Sequence, residues 1–93
     1  VERTQRHADD QTAVTIKQYL TETILYDRPG LVLTNHLPLL EQGLIDSIQL
    51  LNLVTFLQQR FGVIVRAEAM LPENFATVNA LVALVHRSEK VQA

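Results

Sequence analysis

GLIDSIQLLNLVTFLQQRFG, Gly43 to Gly62, sets the architecture. Leu50, Leu53, Val54, Leu57 and Phe61 fall at helical spacing and draw one apolar stripe. The spacing predicts a helix over 47–61, and Gly62 suits its stop because glycine takes the left-handed conformation at little cost. Asp46 and Ser47 stand where the preceding loop turns into that helix. Ile48, Asn52, Thr55 and Gln59 lie off the stripe, which puts a large apolar side chain, Ile48, on the outer face beside Ser47. A lone exposed isoleucine is ordinary. Were Ser47 modified, Ile48 beside it would become a candidate partner contact.

Toward the N-terminus, Ala13, Ile16, Leu20 and Ile24 repeat at helical spacing and predict a first helix from about Asp10 to Tyr26. Asp9 and Asp10 suit the positive end of its dipole, and residues 1–9 read as a flexible tail. Pro29 forces Arg28 out of helical geometry, so Arg28-Pro29-Gly30 reads as a turn. From Leu31 to Ile45 leucines recur, yet Pro38 and Gly43 break any long helix. A strand at 31–34 has no evident partner and would leave its backbone groups unsatisfied. The segment reads as a long ordered loop pinned by leucines, with room for one helical turn; loops of that length usually have a job. Val63-Ile64-Val65 reads as an extended connector, Pro72-Glu73-Asn74 as the first turn of a brief third helix, and Thr77 as the cap of a fourth over 78–88. Val78, Leu81, Val82 and Val85 form the inward face of that fourth helix. The expected fold is all-α: a small four-helix bundle, three main helices and one short, with a long ordered loop between the first two. One domain spans 10–90, followed by a short tail at 91–93.

The bulk composition agrees. The chain has 93 residues, 47% hydrophobic and 19% charged, a globular balance with room for one small core. A net charge of −2 lacks the basic footprint of a nucleic-acid binder. No apolar run approaches the roughly 18 residues needed to span a bilayer, and no signal-peptide pattern is visible. There is no cysteine, so the protein supplies no disulfide, thiolate metal ligand or thiol of its own.

Ser47 admits three readings from its local pattern. Either Asp46 or Ser47 can cap the helix by accepting hydrogen bonds from its first free N–H groups. Ser47 as an activated nucleophile is disfavoured, since no GxSxG elbow is present and nothing local ties His36 to it. The third reading makes Ser47 a target, its hydroxyl attacking a phosphate donor in another enzyme's active site. The resulting phosphodiester would sit beside a helix N-terminus, which favours anions. His7, His36 and His86 show no HxH or HExxH spacing, so no metal site is expected. Glu68 and Glu73 read as solvated acids rather than a catalytic carboxylate pair.

At Leu40–Gly62, LEQGLIDSIQLLNLVTFLQQRFG, the sequence resembles the acyl and peptidyl carrier proteins. The shared pattern is an apolar residue (Ile45), Asp46-Ser47, a second apolar residue (Ile48), then an amphipathic helix closing in Phe61-Gly62. Pro72-Glu73-Asn74-Phe75 with Thr77-Val78 is similar to the passage from that family's third helix to its fourth, so the resemblance covers roughly Ala13 to Arg87. It selects the third reading of Ser47.

The resemblance implies a non-enzymatic, cytoplasmic, monomeric shuttle. A phosphopantetheinyl transferase, using its own Mg²⁺, would attach 4′-phosphopantetheine from coenzyme A to Ser47, with Asp46 aiding recognition. The arm's thiol would carry acyl or aminoacyl groups as thioesters between an adenylating or acyl-loading enzyme and downstream biosynthetic enzymes. Ile48, Asn52 and Thr55 would face partners, while Leu53, Val54, Leu57 and Phe61 would be core. In one respect the chain departs from fatty-acid carriers, whose second helix is typically acidic. Residues 47–61 contain no acid and one base, Arg60. Partner choice would then lean on shape and apolar contact, which points to a dedicated carrier in secondary metabolism. The rival from another class is a helical protein–protein adaptor in which Ser47 is only a helix cap. A helix-turn-helix DNA binder ranks below both, for want of phosphate-attracting charge.

Overall fold

The computed structural model describes residues 2–91, with side chains described from Gln11 to Val91. Three α-helices carry the fold: α1 (Glu2–Tyr19), α2 (Ser47–Phe61) and α3 (Val78–Arg87). The backbone of α1 is helical from Glu2, ahead of the start expected near Asp10, across a stretch expected as a tail; the side chains before Gln11, and residues 1, 92 and 93 of the expected tails, lie outside the described residues.

α1 does not continue as an α-helix to Tyr26. A π turn follows over Leu20–Ile24, and the Leu25 N–H donates to the Leu20 carbonyl at 2.7 Å. The wider i→i+5 turn lets two consecutive residues, Ile24 and Leu25, both reach the core beside Ile16 and Leu20. The chain then turns at Arg28-Pro29-Gly30, where the Leu31 N–H donates to the Arg28 carbonyl at 3.0 Å.

The long loop is ordered and leucine-pinned, as expected. Leu39 is fully buried, Leu31, Leu33, Leu37 and Leu40 pack against the core, and Val32 points out. Two backbone bonds stitch the loop to the start of α3: Leu39 N–H to the Ala76 carbonyl at 2.7 Å, and Asn79 N–H to the Asn35 carbonyl at 3.0 Å. A turn over 38–43 ends in a Schellman arrangement. Gly43 N–H donates to the Leu40 carbonyl, Leu44 N–H donates to the Leu39 carbonyl, and Gly43 takes φ +66°. That positive φ is where glycine is cheap. Leu39 and Leu44, the apolar pair that accompanies this motif, are both buried.

α2 spans the predicted residues and closes on Gly62 at φ 64°. Leu53, Val54 and Leu57 are buried, whereas Leu50 and Phe61 only half bury. Phe61, expected in the core, instead sits edge-on to Phe56 with centroids 6.2 Å apart, and Phe56 stacks on Tyr19 at 4.0 Å. The brief helix at Pro72 is a single 3₁₀ turn (Pro72–Asn74), preceded by a second at Ala67–Ala69 that the sequence did not announce. The connector after Gly62 also does more than expected. β1 (Val63–Ile64) pairs antiparallel with β2 (Glu89–Lys90), joining Val63 to Lys90 and Ile64 to Glu89, while Val91 N–H reaches the Gly62 carbonyl at 2.7 Å. Thr77 caps α3 by accepting from Ala80 N–H at 3.1 Å. Phe75, Val78, Leu81, Leu84 and Val85 complete the core from that side. Among the described residues no helix is long and apolar enough to cross a membrane.

Candidate functional site

Ser47 owes its place to two consecutive stops in the chain. The Schellman turn at 39–44 ends one direction of travel, and Ile45, buried, anchors the next residue to the core. Asp46 then takes extended backbone angles, φ −97° and ψ −177°, and serves as N-cap of α2. Its Oδ1 accepts the Gln49 N–H at 2.8 Å, and its own N–H donates to Gln49 Oε1 at 3.0 Å, a reciprocal capping box. The Asp46 carbonyl accepts the Leu50 N–H at 2.8 Å. Asp46 is therefore the cap, and the reading of Ser47 as nothing but a cap fails.

Ser47 is the first helical residue and is exposed. Its hydroxyl has no hydrogen-bond partner among the described residues, and the N–H groups of Ser47 and Ile48 are likewise unbonded there. Free amides at a helix start, at the positive end of the dipole, suit a phosphodiester next to the serine oxygen. That fit is an observation about this chain: the hydroxyl is open, uncommitted and flanked by anion-favouring backbone.

The outer face of α2 continues the site. Ile48 is 72% exposed, and Leu51, one turn on along the same face, is 60% exposed. Asn52, Thr55 and Gln59 are exposed as well. Thr55 donates its hydroxyl to the Leu51 carbonyl at 3.1 Å, so its exposed surface is an acceptor oxygen and a methyl group. Leu51 escaped the sequence reading, although its spacing of three from Ile48 was a usable signal. Gln49 escaped it too, although it stands three residues after Asp46, the spacing of a capping box. Gln58, by contrast, serves the fold, because its Oε1 accepts the Val65 N–H at 3.0 Å.

The remaining candidates stand apart from Ser47. His36 Nδ1 lies 3.2 Å from Asn79 Nδ2 and links the long loop to α3. His86 Nε2 lies 3.4 Å from Thr12 Oγ1, between α3 and α1. His7 is outside the described side chains. Among the described residues no three His, Cys, Asp or Glu side chains gather as a metal cluster would. Glu68 and Glu73 are exposed. They line a groove of about 680 Å³ with Ile64, Leu71, Leu84 and Arg87, past the opposite end of α2 from Ser47. Arg66 pairs with Glu89 there, and that hydrogen bond and charge raise the guanidinium pKa further.

Comparison with known proteins adds two findings. Residues 15–85 match the family model described as phosphopantetheine attachment site. Over 55 residues the chain is 42% identical to the probable acyl carrier protein PigG of Serratia sp. (strain ATCC 39006), an overlap of 59% of this chain and 63% of that relative. The chain thus spans less than two thirds of that relative's length.

Proposed function

Since the chain belongs to the phosphopantetheine attachment site family, we propose that it is a carrier protein that receives 4′-phosphopantetheine on the Ser47 hydroxyl. One observation carries the assignment: Asp46 takes the capping role, leaving the Ser47 oxygen exposed and unbonded at the helix start. The designation of the Serratia relative as a probable acyl carrier protein supports the same reading.

The chemistry asked of this chain is modest. In the active site of a phosphopantetheinyl transferase, Ser47 Oγ attacks the phosphorus of coenzyme A that bears the pantetheine. A new P–O bond forms to Ser47, the pyrophosphate P–O bond breaks, 3′,5′-bisphosphoadenosine leaves, and the serine proton passes to a base of the transferase. When bound, the arm supplies a terminal thiol that holds an acyl or aminoacyl group as a thioester. The chain itself presents the oxygen, stabilises the phosphodiester with helix-start amides, and offers Asp46 for recognition.

Partner choice rests on α2. Its exposed face carries Ile48 and Leu51 with Asn52 and Thr55, and residues 47–61 hold no acid. Docking there is apolar and shape-driven, with little charge steering. This supports a dedicated carrier of secondary metabolism, loaded by an adenylating or acyl-loading enzyme, over one serving bulk fatty-acid synthesis. The test is incubation with coenzyme A and a broad-specificity transferase. The protein should gain one phosphopantetheine mass, and Ser47→Ala should gain none while keeping its fold. No gain, with the transferase active on a control carrier, rejects the proposal.

A further inference from the structure

We propose that Gln49 is the positioning residue that keeps the Ser47 hydroxyl free; this inference rests on the carrier reading above. Two adjacent residues of this chain, Asp46 and Ser47, are both strong N-caps, so α2 has two possible starting registers one residue apart. If Ser47 capped, its hydroxyl would accept a helix N–H and be withdrawn from chemistry. The residue three positions on decides between the registers. For Asp46 that residue is Gln49, whose Oε1 accepts the Asp46 N–H at 3.0 Å while Asp46 Oδ1 accepts the Gln49 N–H at 2.8 Å. For Ser47 it is Leu50, which has no acceptor to return.

The apolar residues lean the same way. With Asp46 as cap, the residue before the cap is buried Ile45 and the fourth helical residue is Leu50, which packs against the core. That is the pairing of a hydrophobic staple. In the other register the corresponding pair is Asp46 and Leu51, which cannot form one. Removing Gln49 therefore weakens the register without abolishing it. The backbone N–H of residue 49 holds Asp46 Oδ1 in either case, so the Gln49 side chain acts only through its bond from the Asp46 N–H.

The experiment measures phosphopantetheine transfer from coenzyme A by one transferase, with carrier concentration varied, for wild type, Gln49→Met, Gln49→Glu and Thr77→Ala. Gln49→Met keeps length and helix propensity but has no acceptor. It is expected to lower kcat/KM by at most about fivefold, the factor for one cap hydrogen bond, and by less to the extent that the staple still holds the register. The loss should fall in KM with kcat retained, because only the fraction of molecules with a free hydroxyl binds productively. Gln49→Glu restores the box and should restore the rate. Thr77→Ala removes the corresponding cap of α3, remote from Ser47 in the chain, and should leave kcat/KM unchanged despite its cost in stability. Amide exchange of the unmodified proteins reads the register without any transferase: the residue-49 N–H, bonded to Asp46 Oδ1 when Asp46 caps, should exchange faster in Gln49→Met than in wild type or Gln49→Glu. A wild-type rate and unchanged residue-49 exchange in Gln49→Met overturn the inference. So does equal slowing by Thr77→Ala, or failure of Gln49→Glu to rescue. If wild type is not modified at all, the carrier reading falls and this role for Gln49 falls with it.

Discussion

Ile48 and Leu53 lie five residues apart on α2, and the structure assigns them opposite fates when either is cut to alanine. Ile48 is 72% exposed. Full burial of such a side chain stabilises by about 1.5–3 kcal/mol, so the covered quarter contributes about 0.4–0.8 kcal/mol. Alanine recovers a few tenths (roughly 0.4 kcal/mol) through its better helix propensity. The net cost of Ile48→Ala is about 0.5 kcal/mol or less, a shift of Tm under about 4 °C for a domain of this size. Leu53 has zero exposure. Leu53→Ala adds a cavity to the lost transfer energy and should cost about 2–5 kcal/mol, a drop of at least about 8 °C in Tm and a large share of the roughly 5–15 kcal/mol that holds a small domain folded. Urea titration followed by far-UV circular dichroism measures both. The second readout is transfer of phosphopantetheine by a transferase, where Ile48→Ala should lower kcat/KM about fivefold or more, the effect of truncating an interface anchor worth over about 1 kcal/mol. A loss above about 2 kcal/mol for Ile48→Ala would place Ile48 in the core and refute the partition of α2 into two faces. Unchanged turnover would remove Ile48 from the docking surface.

Further predictions concern the frame around the serine. Asp46→Ala removes the cap and should cost about 0.5–2 kcal/mol, whereas Asp46→Asn keeps an acceptor oxygen and should stay within a few tenths (about 0.3 kcal/mol) in chemical denaturation; if the carboxylate serves recognition, Asn is nonetheless modified more slowly. Gly43→Ala meets open space but keeps φ +66°, and should cost about 1–2 kcal/mol of stability through backbone strain alone. Burial against Phe56 raises the Tyr19 pKa above the ordinary 10.0. A folded-state pKa above the unfolded value means the contribution is whole below that ordinary value and fades as pH rises toward the folded one. Tyr19→Phe keeps the stack, so in denaturation curves it should match wild type at neutral pH and lose less stability from about pH 10 upward.

Much of this architecture was legible because its signals are local. The α2 stripe, the Gly62 stop and the Thr77 cap each depend on residues within about two helical turns, and their spans agree with the structure. What was missed depends on distant partners or on packing. Glu89-Lys90 carries no strand signal, and it pairs with Val63-Ile64 only because α3 returns the chain there. The π turn at Leu20–Ile24 serves the burial of Ile24 and Leu25 together, a demand set by the core rather than by propensity. Phe61 looked like core by spacing, yet it sits at the end of the stripe, where an aromatic contact with Phe56 takes over. At the site, the Asp46-Ser47 start was plain, but which residue caps was not. That depended on Gln49 reaching back, a pattern present in the sequence and passed over.

Whether Ser47 bears the arm is settled by recovering the protein from its native host, weighing it intact, and mapping any added mass by peptide fragmentation. A single phosphopantetheine, bare or bearing an acyl or aminoacyl group, on the peptide and residue of Ser47 is the result expected. An unmodified chain, or the same mass on another residue, contradicts the assignment.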